Sequence, residues 1–369
     1  MSMNIGILRE IKDQEYRVGM TPAGVKGLAL SGHNVFVQKG AGTGSGFSDR
    51  DYREAGAVLL DDPGSVYEQA QLLVKVKEPL PVEYGYLREE HILFTYLHLA
   101  GVQELIPVLQ DKGLAAIGYE TVLATDGSLP LLAPMSEIAG RMAVIIGTDY
   151  LLKYNGGKGV LLCGIPGVAP SRVVILGGGI VGLNAAKVAV GLGAEVVVFD
   201  TSLPRLRYLD DIFHSRLITL LPNSENIKEQ IKSTDLVIGA VLVPGGKAPL
   251  LISKEDLKIM PSQSVIIDVS IDQGGCVETV RPTTHANPVY EIDGIIHYGV
   301  PNMPGAVPRT STQALTNVTL PYVHKIASLG LEGAMEEDPG LRAGLNIYRG
   351  EIVHKEVARC VQEKREVPC

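Results

Sequence analysis

The chain has 369 residues, 46% of them hydrophobic and 20% charged, a balance that excludes a disordered chain and, at this length, implies two domains. The formal net charge of −8 leaves no basic surplus to neutralise phosphates and excludes a general nucleic-acid binder. Cys163, Cys276, Cys360 and Cys369 lack CxxC pairing, so free thiols are expected, with neither a disulfide framework nor a metal site.

The first residues, MSMNIGILREIKDQEYRV, place charges where a signal peptide needs an apolar core. No apolar run reaches the ~18 residues of a membrane span. A cytoplasmic protein with no membrane partner is the expectation. From residue 4 to about residue 120, β-rich runs alternate with helix-like stretches, which implies parallel strands with helical crossovers: NIGIL, NVFVQ, LLVKVK, ILFTYLHL and LAAIGYE. Between the first two, Thr21 is a helix cap, Pro22 suits the first helical position and Gly32 suits the end. GAGTGSGFSD, residues 40–49, lacks the GK[ST] ending of a phosphate loop and reads as a flexible connection. In LLVKVKEP, residues 72–79, Val74 and Val76 alternate with Lys75 and Lys77. Two readings stand: a one-sided strand with both lysines in water, or a second lysine aimed from the strand's carboxyl end into a ligand cleft.

MSEIAGRMAVIIGTDYLLKY reads as a long helix broken by NGGKG, after which a second alternating set begins: RVVIL, AEVVVFD, DLVIGAV, SVIIDVS and GIIHYGV. STQALTNVTLPYVHKIASLG predicts a further helix, bent at Pro321. His324 within it has no clear metal-binding partner. The tail reads as helical and amphipathic, without strands, packing back on the first domain.

In VVILGGGIVGLNAAKVAVGLGAEVVVFD, Gly177, Gly179 and Gly182 form G-x-G-x-x-G directly after a strand, and Asp200 closes the next strand. That context marks a dinucleotide site. Gly177 allows the tight turn, Gly179 lets backbone approach a pyrophosphate, and Gly182 lets helix and strand pack closely. The helix N-terminus offers unpaired N–H groups and positive dipole to the anion. Asp200 suits the ribose hydroxyls of NAD and would repel a 2′-phosphate; Arg205 and Arg207, close behind, leave the preference over NADP open. A nicotinamide enzyme also needs a substrate anchor and a proton-transfer group. Arg17, Lys77, His98 and Asp272 each fall near the carboxyl end of a predicted strand, where open α/β sheets place their sites. Taken singly each has a structural alternative: a surface ion pair for Arg17, a hydrogen-bonded core histidine for His98, a turn former for Asp272.

EYRVGMTPAGV, LVKVKEPLP, FTYLHLAG, LPLLAPMSEIAGR, GGGIVG, GAVLVPGGKAP, DVSIDQGGCVE and VPNMPGAVPRTST together closely resemble the L-alanine dehydrogenase family over nearly the whole chain, most weakly around residues 215–232 and in the tail. The resemblance implies an α/β fold of two doubly wound domains. A Rossmann NAD-binding domain, residues 134–303, is inserted in a discontinuous flavodoxin-like substrate domain, residues 1–133 and 304–369, the two joined by long helices that serve as hinges. It implies NAD-dependent oxidative deamination of L-alanine to pyruvate and ammonium, reversibly, through an imine and a carbinolamine. The chain is expected to form a homo-oligomer, with a hexamer favoured.

By the same resemblance Arg17 and Lys77 hold the substrate, His98 is the general acid/base and Asp272 the second catalytic group, while Lys75 keeps a solvent-facing or structural role. Cofactor contacts carry over to Ser136, Val181, Asp200, Arg205, Val241, Leu242, Ile271, Asp272, Arg281, Asn302 and Met303, beside the glycines already named. Pro222 stands near where relatives have an adenine-side serine, so that contact is left out. Tyr96, Leu132, Met135 and Met303 are candidates for the wall around the alanine methyl group. Two alternatives remain: a transhydrogenase-like module that binds NAD without oxidising an amino acid, and a dehydrogenase of another small 2-amino acid. Lys77 together with Asp272 favours the enzyme.

Overall fold

A computed structural model describes residues 2–242 and 247–366, with side chains through residue 361. Cys369 and residues 243–246 of the GAVLVPGGKAP segment lie outside the described residues. In chain order the strands are β1 (Asn4–Ile7), β2 (Asn34–Gln38), β3 (Val58–Leu60), β4 (Leu72–Val74), β5 (Ile92–Thr95), β6 (Ala115–Gly118), β7 (Arg172–Leu176), β8 (Glu195–Phe199), β9 (Ile218–Leu220), β10 (Leu236–Gly239), β11 (Val265–Asp268), β12 (Val289–Ile292), β13 (Ile295–Tyr298), β14 (Leu345–Tyr348) and β15 (Glu351–Ile352). They form two sheets in two compact units, residues 1–135 with 305–369 and residues 136–304.

In the first unit the order is β15-β14-β6-β5-β4-β1-β2-β3, parallel except for β14 and β15. Without the short edge strand β3, its parallel part reads 2-1-3-4-5, the flavodoxin-like order. β4, β5 and β6 are apolar and buried throughout, as strands covered on both faces require. The chain changes direction across the sheet between β1 and β4, the switch point at whose carboxyl ends open α/β sheets form their ligand crevice.

The second unit has the order β12-β13-β11-β10-β7-β8-β9, parallel except for β12. Read from β7, its parallel strands follow the 3-2-1-4-5-6 Rossmann arrangement, with the switch between β7 and β10. Its two hydrophobic layers lie on opposite faces of the sheet: Val173, Ile175, Val196 and Val198 point to one, Val174, Leu176, Val197 and Phe199 to the other. The pattern is period two along β7 and β8, so helices cover both sides.

Helix Pro22–Leu30 starts where the sequence signals place it: the Thr21 hydroxyl accepts from the Gly24 N–H, and Gly32 follows the end with φ +85°. Four expectations are corrected or refined. Lys75 takes the structural and not the solvent-facing one of its two expected roles: β4 is central, and Lys75, just after it, is fully buried between carboxylates. The tail does contain strands, because β14 pairs antiparallel with β6 and β15 completes a hairpin. Helix Pro308–Glu337 carries Pro321 within it and leaves helical backbone at Gly330 (φ +72°, ψ +170°), a region glycine reaches without a side-chain clash. Residues 40–49 form an ordered turn, not a loose connection: the buried Ser45 hydroxyl reaches the Tyr16 and Pro308 carbonyls and Thr312, and Ser48 caps helix Asp49–Glu54.

Candidate active site

Four candidate segments in the first unit leave the carboxyl ends of neighbouring strands. Arg17 lies on the segment after β1, Lys77 after β4, His98 after β5 and Glu120 after β6. The crevice therefore gathers residues that are far apart in sequence. Arg17 is 2% exposed and lies in a fork with Glu15: Nε donates to Oε1 at 2.7 Å and Nη2 to Oε2 at 2.6 Å. Nη1 approaches the Met135 sulfur at 3.1 Å. Burial opposes the arginine's charge, but Glu15 outweighs it and holds the guanidinium pKa above its ordinary value. This pairing fixes the plane of the guanidinium, which a carboxylate-binding arginine requires.

Lys77 is 8% exposed, and its Nζ lies 3.5 Å from His98 Nε2. Burial and the Arg17 charge lower the lysine's pKa, with Glu78 and Glu15 opposing. Lys12 forms an ion pair with the buried Glu78 at the same crevice. The His98 ring stacks on Tyr96, centroids 5.7 Å apart and planes 10° apart, while the Tyr96 hydroxyl donates to the Leu131 carbonyl at 2.7 Å. Crowding of the imidazole and the charges of Lys77, Lys12 and Arg17 push its pKa down. His98 is a neutral imidazole at pH 7, able to accept a proton.

Lys75 belongs to a separate cluster below this surface. Its ammonium reaches Glu83 at 2.8 Å and Glu10 at 3.4 Å. Glu83 also accepts from the Tyr67 hydroxyl and the Leu80 N–H, and Glu10 from the Val76 N–H at 2.6 Å. These bonds anchor the backbone on either side of Lys77 and explain why two lysines in one motif have different fates. The carboxylates Glu10, Glu15, Glu83 and Glu120 carry no local sequence signature; tertiary folding brings each to its partner.

In the second unit the glycine turn follows β7, and each glycine has a distinct reason. Gly177 has φ +103°, and a β-carbon there would lie 2.6 Å from the Ala240 carbonyl oxygen. At Gly182 it would lie 1.8 Å from the Gly177 oxygen. At Gly179 it would meet no protein atom within 4 Å, which leaves room for a ligand against the backbone. Helix Ile180–Gly191 begins there without a side-chain cap, so its N-terminal dipole faces that space. Asp200, at the end of β8, accepts from the Gly178 N–H through Oδ2 and the Ser202 N–H through Oδ1, both at 2.8 Å. Arg205 braces the turn, donating to the Gly178 and Gly179 carbonyls.

The other expected cofactor residues in this unit also follow strand ends. Ser136 is half-buried on helix Ala133–Tyr150, and Gly140 of that helix packs against the Val181 carbonyl. Val241 and Leu242 follow β10, with Leu242 exposed; Ile271 is buried and Asp272 exposed in the turn Val269–Gln273 after β11. Asp268 holds that turn, accepting from the N–H groups of Ser270 at 2.9 Å, Cys276 at 2.7 Å and Val277 at 3.3 Å. The Arg281 guanidinium lies over the Tyr290 ring, 4.5 Å from its centroid. Asn302 has φ +57°, and Met303 beside it packs into the unit's core. Leu132 is half-buried near Met135 in the first unit. Among the described residues no three histidine, cysteine or acidic side chains cluster as metal ligands, and no helix is long and apolar enough to cross a membrane.

Two parallel α/β sheets, one carrying a glycine turn with an uncapped helix N-terminus, define a nucleotide-binding architecture with a second α/β unit. Comparison with known proteins narrows the class. The family model described as Alanine dehydrogenase/PNT, N-terminal domain, matches residues 6–139, and that of the C-terminal domain matches residues 143–355. An alanine dehydrogenase of Methanococcus maripaludis is 54% identical over 97% of this chain and 96% of its own length. One from Bacillus subtilis is 54% identical over 97% of this chain and 94% of its own. A solved L-alanine dehydrogenase structure superposes with a TM-score of 0.95 at 52% identity, covering 98% of this chain and 99% of the other. A transhydrogenase from Sinorhizobium meliloti, at 23% identity and a TM-score of 0.83 over 95% of this chain and all of its own, shares the fold. The chain belongs to the alanine dehydrogenase/PNT family.

Proposed function

We propose that the chain catalyses the NAD-dependent oxidative deamination of L-alanine to pyruvate and ammonium, and the reverse reductive amination. The observation that carries this reading is the convergence of Arg17, Lys77 and His98 at the carboxyl ends of β1, β4 and β5, with Lys77 Nζ 3.5 Å from His98 Nε2. Relatives more than half identical along nearly the whole chain bear the name alanine dehydrogenase. A pure NAD-binding module has no use for a buried arginine and a lowered-pKa lysine beside a neutral imidazole.

In this reading Arg17, its Nε edge held by Glu15, binds the substrate carboxylate through the rest of its guanidinium. Lys77 stabilises negative charge developing on the oxygen of the carbinolamine and of pyruvate. When bound, NAD would supply the acceptor for the hydride of alanine Cα, whose neutral amine is left as an iminium. His98 takes a proton from the water that adds to the iminium, gives it to the carbinolamine nitrogen, and takes the hydroxyl proton as the C–N bond breaks and ammonia leaves. Asp272 is the second catalytic group, accepting hydrogen bonds from water or ammonia. The space at Gly179 and the uncapped helix behind it fit a pyrophosphate. The cofactor is held by Ser136, Gly177, Gly179, Val181, Gly182, Asp200, Arg205, Val241, Leu242, Ile271, Asp272, Arg281, Asn302 and Met303.

The same reading includes a cytoplasmic homo-oligomer with a hexamer favoured; exposed Tyr154, Ile165 and Val168 on the second unit suit burial between copies. Analysis of products tests the function. Purified protein with L-alanine and NAD is expected to release pyruvate and ammonium in equal amounts; a greater rate with another small 2-amino acid would move the assignment to that substrate.

A further inference from the structure

His98 stands on a left-handed backbone, with φ +49°, a conformation uncommon for residues that carry a β-carbon. Such a conformation persists where its surroundings impose it. The His98 N–H donates to Glu120 Oε1 at 2.6 Å, and the preceding Leu97 N–H donates to both oxygens of that carboxylate, at 3.1 and 3.3 Å. On the other side the His98 carbonyl accepts from the N–H groups of Gly101 at 2.8 Å and Val102 at 3.0 Å. Glu120 sits in the turn after β6, the sheet neighbour of β5, and half-burial gives its charged hydrogen bonds more weight than they would have in water.

We infer that Glu120 is a positioning residue for the reaction: its carboxylate clamps the Leu97–His98 backbone so that the imidazole lies along Tyr96 and points Nε2 at Lys77. The inference rests on the proposed role of His98. The ring's direction follows from its backbone. Relaxing φ to the ordinary negative region swings the Cα–Cβ bond away from Lys77, and misplacement of a reacting group by about 1 Å costs on the order of 100-fold in rate. The stacked Tyr96 ring limits tilt but cannot fix the backbone on its own.

The test compares Glu120→Ala, Glu120→Gln and His98→Asn in the full-length protein. Steady-state rates with L-alanine and NAD are read beside NADH affinity and the NMR titration of the His98 ring. Glu120→Ala is expected to lower kcat tenfold to a hundredfold, leave NADH affinity unchanged and move the His98 midpoint toward an ordinary imidazole value. Glu120→Gln, which keeps an acceptor oxygen, is expected to recover most of the rate. Wild-type kcat in Glu120→Ala, or an unmoved His98 midpoint, overturns the inference. Wild-type turnover in His98→Asn instead overturns the role assigned to His98 itself. If Glu120→Ala does not fold, Glu120→Asp, one methylene short of the two N–H groups, takes its place with the same expected direction.

Discussion

His98 and Lys77 face each other as a base and a cation, and burial lowers the affinity of both for a proton. Lys77 depresses the His98 pKa after desolvation has done so, and Arg17 depresses that of Lys77. The sign follows: His98 stays neutral as pH falls through the ordinary imidazole range near 6.5. Its NMR titration, assigned by comparison with His98→Asn, is expected to have a midpoint below that range; a midpoint at or above it contradicts the described crevice. The glycine turn offers a cleaner separation of fold from ligand. Gly179→Ala adds a methyl group to open space and is expected to melt as the wild type does while NADH binding weakens. Gly182→Ala drives a β-carbon into the Gly177 carbonyl and is expected to lose thermal stability as well as binding. Equal melting of the two variants would show that the turn adapts. These glycines, like Arg17, Lys77 and His98, are legible from sequence because each belongs to a local motif at a strand end. Glu15 and Glu120 are not legible: an acidic residue in a loop reads the same whether it faces water or clamps a neighbour.

At the scale of elements, the segment after β4 shows how one motif serves two purposes. Strand alternation assigns both lysines to one face, but β4 ends at Val74 and the following turn no longer obeys that period. Lys75 points into a buried pair of carboxylates and Lys77 into the crevice. Removing Lys75 leaves Glu10 and Glu83 without their cation in a site closed to water. Lys75→Ala is therefore expected to lower stability by about 3–5 kcal/mol, measured by urea denaturation. A change below about 0.5 kcal/mol would mean that the carboxylates are protonated or hydrated without it. The tail hairpin was hidden for a related reason. β14 and β15 are short and lie at the sheet edge, so their strand character comes from pairing with β6 more than from intrinsic pattern.

At the scale of the molecule, two successive sets of β-rich runs were enough to expect two parallel sheets, because parallel strands need crossover helices and crossovers impose that rhythm. Sequence order did not show that β14 and β15 join the first sheet, nor that short β3, β9 and β12 extend the edges. In the proposed function, alanine is oxidised in the crevice above β1, β4 and β5. The measurement that tests it most directly is alanine-dependent reduction of NAD, followed at 340 nm, in the wild type and in Lys77→Ala, with NADH affinity and melting temperature measured on both. Turnover is expected in the wild type, with a loss on the order of 100-fold to 1,000-fold in the variant and NADH binding and folding unchanged. Undiminished turnover in Lys77→Ala, or a wild type that binds NADH yet leaves L-alanine unoxidised, would contradict it.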